Sequence, residues 1–221
     1  MRLLLISSST VHGYGFLDHP ESAIREFLGA ARRVAFVPFA SHDHAAYTIK
    51  VRERLSRMDL DVVPIDDLDR TDAIFVGGGN TFRLLKTLYE RNLLSPIRER
   101  VRAGLPYLGS SAGTVIAAPT MKTTNDMPIV EPPSFNALAL VPFQINPHYL
   151  DPDPQSTHKG ETREERIREF LDENETPVVG LREGSILRVE NGTTTLLGEK
   201  TARIFRRGVE AVEMAPGRID V

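Results

Sequence analysis

Residues 106–118, PYLGSSAGTVIAA, pass from a short strand through a turn of small residues into an apolar segment of helical character. The same order recurs through the first half of the chain, where β-branched and aliphatic runs alternate with segments of helical period. The predicted strands are Arg2–Ser7, Arg33–Phe39, Asp61–Ile65, Ala73–Gly77 and Pro106–Gly109. Because this alternation is typical of α/β proteins, the sequence predicts a mostly parallel sheet flanked by helices.

Three helical segments are predicted around these strands. Two of them, Ala45–Met58 and Thr81–Tyr89, carry apolar residues at helical offsets. Those residues are Ile49, Val51 and Leu55 in the first segment and Phe82, Leu85 and Leu88 in the second. Ser95 is predicted to cap the third helix, with Pro96 at its first position and Gly104 after its end.

The second half of the chain ends in antiparallel structure. Thr162 and Glu165 form a capping box that opens the predicted helix Arg163–Leu171. The dipeptide at residues 191–192, Asn-Gly, predicts a hairpin turn. The strands predicted near it are Pro177–Leu181, Ile186–Glu190 and Thr193–Leu197. No repeat or linker divides the chain, so we expect a single domain over residues 1–221 with a C-terminal antiparallel hairpin.

The composition excludes several classes of protein. The 221 residues include 27 Lys+Arg and 30 Asp+Glu, a formal charge of −3, whereas nucleic-acid binding requires a clearly basic face. No apolar stretch approaches the ~20 residues that cross a bilayer, and the apolar N-terminal run stops at Ser7, too early for a signal peptide. The chain contains no cysteine, which excludes thiol nucleophiles and thiolate metal sites. We expect a cytoplasmic protein without nucleic-acid or membrane partners.

The turn within residues 106–118 contains the pattern G-x-S-x-G at residues 109–113. In a nucleophile elbow the central serine occupies a strained turn between strand and helix, and small neighbours let the backbone approach closely. Ser111 is therefore a candidate nucleophile, and the N–H of Ala112 is a candidate donor to an oxyanion. The alternative is a Gly/Ser-rich turn without chemistry, because so short a pattern often arises by chance.

A second glycine cluster, Gly77-Gly78-Gly79, precedes a predicted helix that Asn80 can cap. It departs from G-x-G-x-x-G and lacks the Lys-Ser/Thr pair of a Walker loop, so we expect no nucleotide cofactor. Ligands bind at the carboxyl ends of strands in open α/β sheets. The N–H of Gly79 is therefore the candidate for the second oxyanion donor, with a tight turn or a phosphate loop as the alternatives.

A nucleophilic serine needs a base. Of the six histidines, His148 follows a short apolar run and is stiffened by a preceding proline, although a structural histidine is the alternative there. His42 and His44 lack a third clustered ligand, so a metal site is not expected. His158 lies in a polar loop, where it is either solvated or a substrate contact.

The base in turn needs an orienting acid, and two residues are candidates. Asp126 gives the chain order Ser-Asp-His that is familiar from α/β-hydrolases. Glu183 follows a predicted strand, where a carboxylate can be fixed at the edge of a sheet. Chain order does not decide between them, because triads occur in several orders, and either residue can be a surface acid.

Six separate segments together resemble the peptidase E family, serine peptidases with α-aspartyl dipeptidase activity that share the fold of class I glutamine amidotransferases. The segments are VPFA (37–40), VGGGNTF (76–82), SAG (111–113), TTNDMPIV (123–130), QINPH (144–148) and HKGETRE (158–164). Their common order along nearly the whole chain is more specific than any single motif.

The resemblance implies roles for the candidate residues. It makes Ser111 the nucleophile, His148 the general base and Glu183 the orienting carboxylate, with Asp126 as the second candidate for that position. It also supports the backbone N–H groups as oxyanion donors; these belong to Gly79 and Ala112.

The resemblance also implies a substrate, a dipeptide or short peptide with an N-terminal aspartate, and no metal or cofactor. Arg163 is the candidate cation for the aspartate carboxylate, because a guanidinium binds a carboxylate with two hydrogen bonds. The alternative is an exposed arginine paired with Glu161 or Glu164. Asn80 and His158 are candidate secondary contacts.

Two other functions stay open. A cyanophycinase-like enzyme is similar in fold and triad but cuts a β-linked aspartyl-arginine polymer. A non-catalytic protein that binds acidic peptides is the second possibility. A glutamine amidotransferase is excluded because its chemistry uses a cysteine. Monomer and homodimer are both compatible with the sequence.

Overall fold

An eight-stranded sheet forms the centre of the protein in the computed structural model, which describes residues 1–152, 155, 157 and 159–221. In spatial order its strands are β12 (Gly217–Ile219), β9 (Thr193–Leu197), β8 (Ile186–Glu190), β1 (Arg2–Ile6), β5 (Tyr107–Ser110), β4 (Ala73–Val76), β2 (Arg33–Val37) and β3 (Asp61–Pro64). The five strands from β1 to β3 in this order are parallel, and β8, β9 and β12 continue the sheet in antiparallel pairing.

Helices cover both faces of this sheet. They are α1 (Glu21–Leu28), α2 (His44–Ser56), α3 (Thr81–Glu90), α4 (Leu94–Arg102) and α5 (Ala112–Val115), with a 3₁₀ helix at Ile65–Arg70. The last helix, α6 (Arg163–Glu173), packs instead on a second sheet. Side chains alternate along a strand, so Leu3 and Leu5 of β1 pack with α3, α4 and α5, whereas Leu4 and Ile6 pack with α1 and α2. The predicted α/β architecture is confirmed.

A second sheet of four strands packs on the face that carries α3, α4 and α5. Its strands, in spatial order, are β11 (Val212–Met214), β10 (Ala202–Phe205), β7 (Val178–Arg182) and β6 (Gln144–Tyr149). β6 and β7 are parallel neighbours, so their carboxyl ends lie side by side. Sequence patterns predicted β7 but not this separate sheet.

The local signals near the C-terminus are confirmed. Thr162 and Glu165 form the capping box at the start of α6. β8 and β9 pair as a hairpin, and the turn residues Asn191 and Gly192 have φ angles of 52° and 76°. Both values lie in the left-handed region that a two-residue hairpin turn requires.

Two details of the predicted helices were wrong. Ser95 does not cap α4, because the turn after α3 leads directly into a helix that begins at Leu94, with Leu93 at the cap position and no side-chain cap. The first residue of the helix, Leu94, has a buried side chain. Ile49 in α2 is 53% exposed, whereas Val51 and Leu55 are buried. No helix in the described part of the chain is long and apolar enough to span a membrane.

Candidate active site

Ser111 lies in a strained turn between β5 and α5. Its φ of 51° and ψ of −109° are unusual for a residue with a side chain. The turn is held by the Ser111 N–H, which donates to Ile6 O at 3.0 Å. A Cβ atom at Gly109 would lie 2.6 Å from Gly113 O, and one at Gly113 would lie 2.1 Å from Val76 O. Both glycines are therefore needed for the close approach that the G-x-S-x-G pattern predicts.

The structure brings Ser111, His148 and Glu183 together. Ser111 Oγ lies 2.9 Å from His148 Nε2, and His148 Nδ1 lies 2.8 Å from Glu183 Oε1. His148 is at the end of β6 and Glu183 follows β7, so the parallel pairing of these strands sets their spacing. All three residues are partly exposed, which leaves them open to a substrate.

A bulge in β6 directs the imidazole toward Ser111. His148 has a φ of 54°, and the pairing with β7 shifts register between Pro147 and Tyr149. Its N–H donates to Ser7 Oγ at 3.0 Å, and the same hydroxyl donates to Leu181 O at 2.8 Å. Ser7 follows β1, so this hydroxyl links the eight-stranded sheet to both β6 and β7.

The glycine cluster after β4 borders the serine. A Cβ atom at Gly78 would lie 3.0 Å from Ser111 Cβ, and the Gly78 N–H donates to the Tyr47 hydroxyl at 3.0 Å. Gly79 has a φ of 138°, and a Cβ there would lie 2.4 Å from Ala40 O. Within the described residues, the N–H groups of Gly79 and Ala112 have no acceptor, so both are free to donate to a ligand.

Tyr47 is a site residue that the sequence analysis missed. Its ring packs edge-on against Phe36, and burial raises the pKa of Tyr47 to about 12. The hydroxyl is therefore neutral near pH 7. In the sequence, Tyr47 stands out only as a helix residue that faces the core and carries a polar atom. Its hydrogen-bond partner, Gly78, lies 31 positions away.

Asp126 is held away from the imidazole by another set of partners. Its Oδ2 accepts hydrogen bonds from the Thr81 N–H at 2.7 Å, the Thr81 hydroxyl at 2.5 Å and the Thr124 hydroxyl at 3.0 Å. These contacts fix the loop at residues 123–126 to the start of α3. The carboxylate that contacts His148 is Glu183, and Asp126 does not contact that ring.

Arg163 has none of the acidic partners that its helix offers. Burial, followed by the nearby Arg166, lowers the pKa of Arg163, and the charge of Asp126 raises it. Its Nη1 donates to Asn125 Oδ1 at 2.8 Å. The neighbouring carboxylates, Glu161 and Glu164, pair instead with other arginines; these are Arg166 at 3.4 Å and Arg168 at 2.8 Å.

Asn125 is a second residue that received no role from the sequence. Besides accepting from Arg163, it accepts from Asn146 Nδ2 at 2.8 Å and donates to Pro147 O at 2.8 Å. It therefore connects the guanidinium to the strand that carries His148. Its position beside Asp126 in the TTNDMPIV segment was the available signal.

The remaining candidates for substrate contacts are Asn80 and His158. Asn80 caps α3 by accepting from the Arg83 N–H at 3.0 Å, and its amide donates to Met127 O at 2.9 Å. The cap is as predicted, but these contacts already use both ends of the amide. His158 lies outside the described residues. Among the residues that are described, no group of His, Asp and Glu could hold a metal ion.

Comparison with known proteins gives consistent matches. The family model described as "Peptidase family S51" matches residues 3–197. Peptidase E of Streptomyces coelicolor is 59% identical over 98% of this chain and 92% of that protein. A probable alpha-aspartyl dipeptidase of Drosophila melanogaster is 50% identical over 97% and 93%, and peptidase E of Salmonella arizonae is 44% identical over 98% and 99%.

Solved structures agree on the fold. A putative peptidase E protein from Listeria monocytogenes superposes with a TM-score of 0.61 at 25% identity, covering 97% of this chain and 98% of that one. A peptidase from an acI-B1 actinobacterium superposes with a TM-score of 0.71 at 16% identity, covering 100% and 96%. The second likeness concerns the fold alone.

Proposed function

Because the chain belongs to peptidase family S51, we propose that it is a serine-type dipeptidase that releases N-terminal aspartate from dipeptides and short peptides (Asp-X). The names of its relatives, peptidase E and probable alpha-aspartyl dipeptidase, support this substrate. The observation that carries the proposal is the pair of contacts from Ser111 Oγ to His148 Nε2 at 2.9 Å and from His148 Nδ1 to Glu183 at 2.8 Å. Residues 1–221 act as one peptidase domain.

The reaction proceeds through an acyl-enzyme. His148 Nε2 removes the proton of the Ser111 hydroxyl as the oxygen attacks the aspartyl carbonyl carbon. The imidazolium then protonates the departing amine of X, which leaves the aspartyl group as an ester on Ser111. Water, deprotonated by the same nitrogen, attacks this ester and releases aspartate, and the proton returns to the serine.

Glu183 orients the imidazole and stabilises its protonated form. Its contact with Nδ1 favours the tautomer in which Nε2 is free to accept the serine proton. Asp126 was the second candidate for this role, but its carboxylate accepts hydrogen bonds from Thr81 and Thr124. We therefore assign the third position of the triad to Glu183.

The negative charge that develops on the substrate oxygen needs preorganised donors. The free N–H groups of Gly79 and Ala112 supply them, one from the loop after β4 and one from the start of α5. The neighbouring Gly78 cannot contribute, because its N–H is already committed to Tyr47.

Arg163 binds the side-chain carboxylate of the substrate aspartate. It is partly buried and, in the described part of the chain, has no carboxylate partner, so a bound anion would complete its interactions. A guanidinium can bind a carboxylate with two parallel hydrogen bonds. Asn80 and His158 stay secondary candidates for substrate contacts, and only a reoriented amide would free Asn80 for that purpose.

The two other functions lead to different results. A cyanophycinase-like enzyme would cleave β-Asp-Arg, and a non-catalytic binding protein would cleave nothing and resist acylation of Ser111. The names of the relatives favour neither of them.

A panel of dipeptides tests the proposal. Asp-X, Glu-X, Asn-X and β-Asp-X are assayed with the wild-type enzyme and with Ser111→Ala, while Ser110→Ala serves as the control for loss of a neighbouring buried hydroxyl. We expect cleavage of Asp-X by the wild type and by Ser110→Ala, and none by Ser111→Ala. Preferential cleavage of β-Asp-X, or equal rates on Asn-X and Asp-X, would contradict the proposed substrate.

A further inference from the structure

Asp126 has one carboxylate oxygen that no other group uses. All three of the hydrogen bonds that its side chain accepts end on Oδ2, from Thr81 and Thr124. Among the described residues, Oδ1 accepts none, and the side chain is only partly buried. This oxygen is therefore available to a ligand with a positive charge or a strong hydrogen-bond donor.

The same segment holds the guanidinium of Arg163. Its Nη1 contacts Asn125, the residue before Asp126, at 2.8 Å, and the charge of Asp126 acts on it. Arg163 and Asp126 nevertheless form no ion pair with each other. A cation and a carboxylate oxygen thus lie near each other with neither neutralised by direct contact.

An N-terminal aspartyl residue carries the complementary charges. Its side-chain carboxylate is negative, its α-amino group is positive near neutral pH, and only two carbon atoms, Cα and Cβ, separate these groups. Building on the function proposed above, we propose that Asp126 Oδ1 binds the α-ammonium group of the substrate while Arg163 binds the side-chain carboxylate. Such a pairing would restrict cleavage to the first residue of a peptide, because an internal aspartate has no ammonium group.

The position of Asp126 relative to the reacting atoms supports this assignment. Asp126 Oδ2 accepts a hydrogen bond from the N–H of Thr81. Thr81 lies two residues after Gly79, and the Gly79 N–H is the proposed donor to the carbonyl oxygen of the substrate. In the substrate, the α-ammonium nitrogen is bonded to the carbon next to that carbonyl. The carboxylate is thus held by a residue only two positions from the proposed oxyanion donor, and we expect the ammonium group to lie next to it.

Two other roles that a carboxylate could have are not filled by Asp126 in the described site. The imidazole is oriented by Glu183, and no group of residues suited to a metal ion includes Asp126. The carbonyl oxygen of an uncharged Asn could accept the two hydrogen bonds from Thr81, and the Thr124 hydroxyl could donate to the Thr81 hydroxyl, 3.0 Å away, instead. A structural role alone would therefore not require a carboxylate at this position.

The variant Asp126→Asn tests the proposal with a pair of substrates. Its amide oxygen can keep the two hydrogen bonds from Thr81, while an NH₂ group that cannot accept from an ammonium replaces Oδ1. The substrates are Asp-X and succinyl-X, which is Asp-X without its α-amino group. We expect kcat/KM for Asp-X to fall about 10- to 100-fold, the effect of losing one hydrogen bond between charged groups. For succinyl-X we expect a change of less than about threefold, because that substrate never makes the contact.

The ratio of the two rates makes the result independent of folding. Both substrates are measured on one preparation, so a reduced fraction of folded enzyme cancels. Thr124→Val is the matched control. It removes the hydroxyl that contacts Oδ2, the Asp126 N–H and the Thr81 hydroxyl but keeps the charge, so it should change both rates by the same factor. If succinyl-X turns over too slowly to measure, its inhibition constant against Asp-X replaces its rate in the comparison.

Two outcomes would overturn the assignment. An equal loss on Asp-X and succinyl-X in Asp126→Asn would mean that Asp126 only supports the loop. An unchanged rate on Asp-X would mean that it does not bind the substrate. Failure of the proposed function is distinguishable from both, because then the wild-type enzyme itself would not cleave Asp-X.

Discussion

The hydroxyl of Tyr47 accepts a hydrogen bond from the backbone N–H of Gly78 at 3.0 Å. Gly78 packs against Ser111, and the next N–H along the chain, that of Gly79, is the proposed oxyanion donor. A side chain on α2 thus fixes the rotation of the peptide group next to the one that would stabilise the transition state.

Removing this hydroxyl in Tyr47→Phe should lower kcat about threefold to 30-fold and leave KM within about twofold of the wild type, because the oxyanion forms only during the reaction. The unpaired Gly78 N–H should also lower the free energy of unfolding by about 1–3 kcal/mol. Steady-state kinetics on Asp-X and urea denaturation measure the two effects. A rise in KM at constant kcat would show that Tyr47 shapes ground-state binding instead.

Neutralising the acid that contacts His148 should disable the chemical step. In Glu183→Gln the amide can no longer stabilise the imidazolium, and we expect kcat to fall by about two to four orders of magnitude, as for the equivalent change in other triads. Single-turnover kinetics with Asp-X measure the acylation rate directly. A loss of this size in Asp126→Asn, together with near-normal activity in Glu183→Gln, would assign the orienting role to Asp126.

Replacing the guanidinium in Arg163→Lys keeps the positive charge but removes the two-pronged hydrogen bonding. We expect kcat/KM for Asp-X to fall about 10- to 100-fold and the preference for Asp-X over Asn-X to shrink. Arg166→Lys is the control, since Arg166 lies on the same helix, is exposed and pairs with Glu161. Similar losses in both variants, or an unchanged preference in Arg163→Lys, would argue against the proposed contact.

His19 should make the protein less stable in mild acid. Both of its ring nitrogens are enclosed without a partner among the described residues, and burial lowers its pKa more than Asp18 and Glu183 raise it. The unfolded chain therefore binds a proton more readily. This histidine makes no pH-dependent contribution above its ordinary pKa of about 6.5, and it destabilises the fold increasingly as the pH falls below that value.

The free energy of unfolding should accordingly decrease between about pH 7 and pH 5, and His19→Asn should lose less over this range. Urea denaturation of both proteins at several pH values gives the comparison. Glu21 and Asp72 have lowered pKa values, but their protonation changes the free energy of unfolding near and below pH 4, outside this window. Parallel pH profiles for the two proteins would refute the prediction.

The features that the sequence predicted are encoded locally. The elbow at Ser111 was predictable because Gly109 and Gly113 are needed wherever a strand, a turn and a helix approach so closely. The hairpin at Asn191-Gly192 was predictable for a similar reason, since its turn needs left-handed φ angles. In both cases the residue types alone restrict the backbone.

The features that the sequence left open depend on contacts between distant segments. Glu183 contacts His148 because β6 and β7 pair in a second sheet, which no local pattern predicted. From the sequence, Arg163 was as compatible with Glu161 or Glu164 as with a ligand. In the fold those acids pair with other arginines, and Arg163 contacts Asn125. Such competition for partners can be determined only in the folded chain.

Ser7 lies where the two sheets meet, with one hydroxyl bonded to the strand of His148 and to the strand that leads to Glu183. The serine that would attack the substrate is carried by one sheet, and the groups that would activate it are carried by the other. A newly synthesised or partly unfolded chain therefore holds only an ordinary alcohol. The proposed triad is therefore complete only when the two sheets are docked.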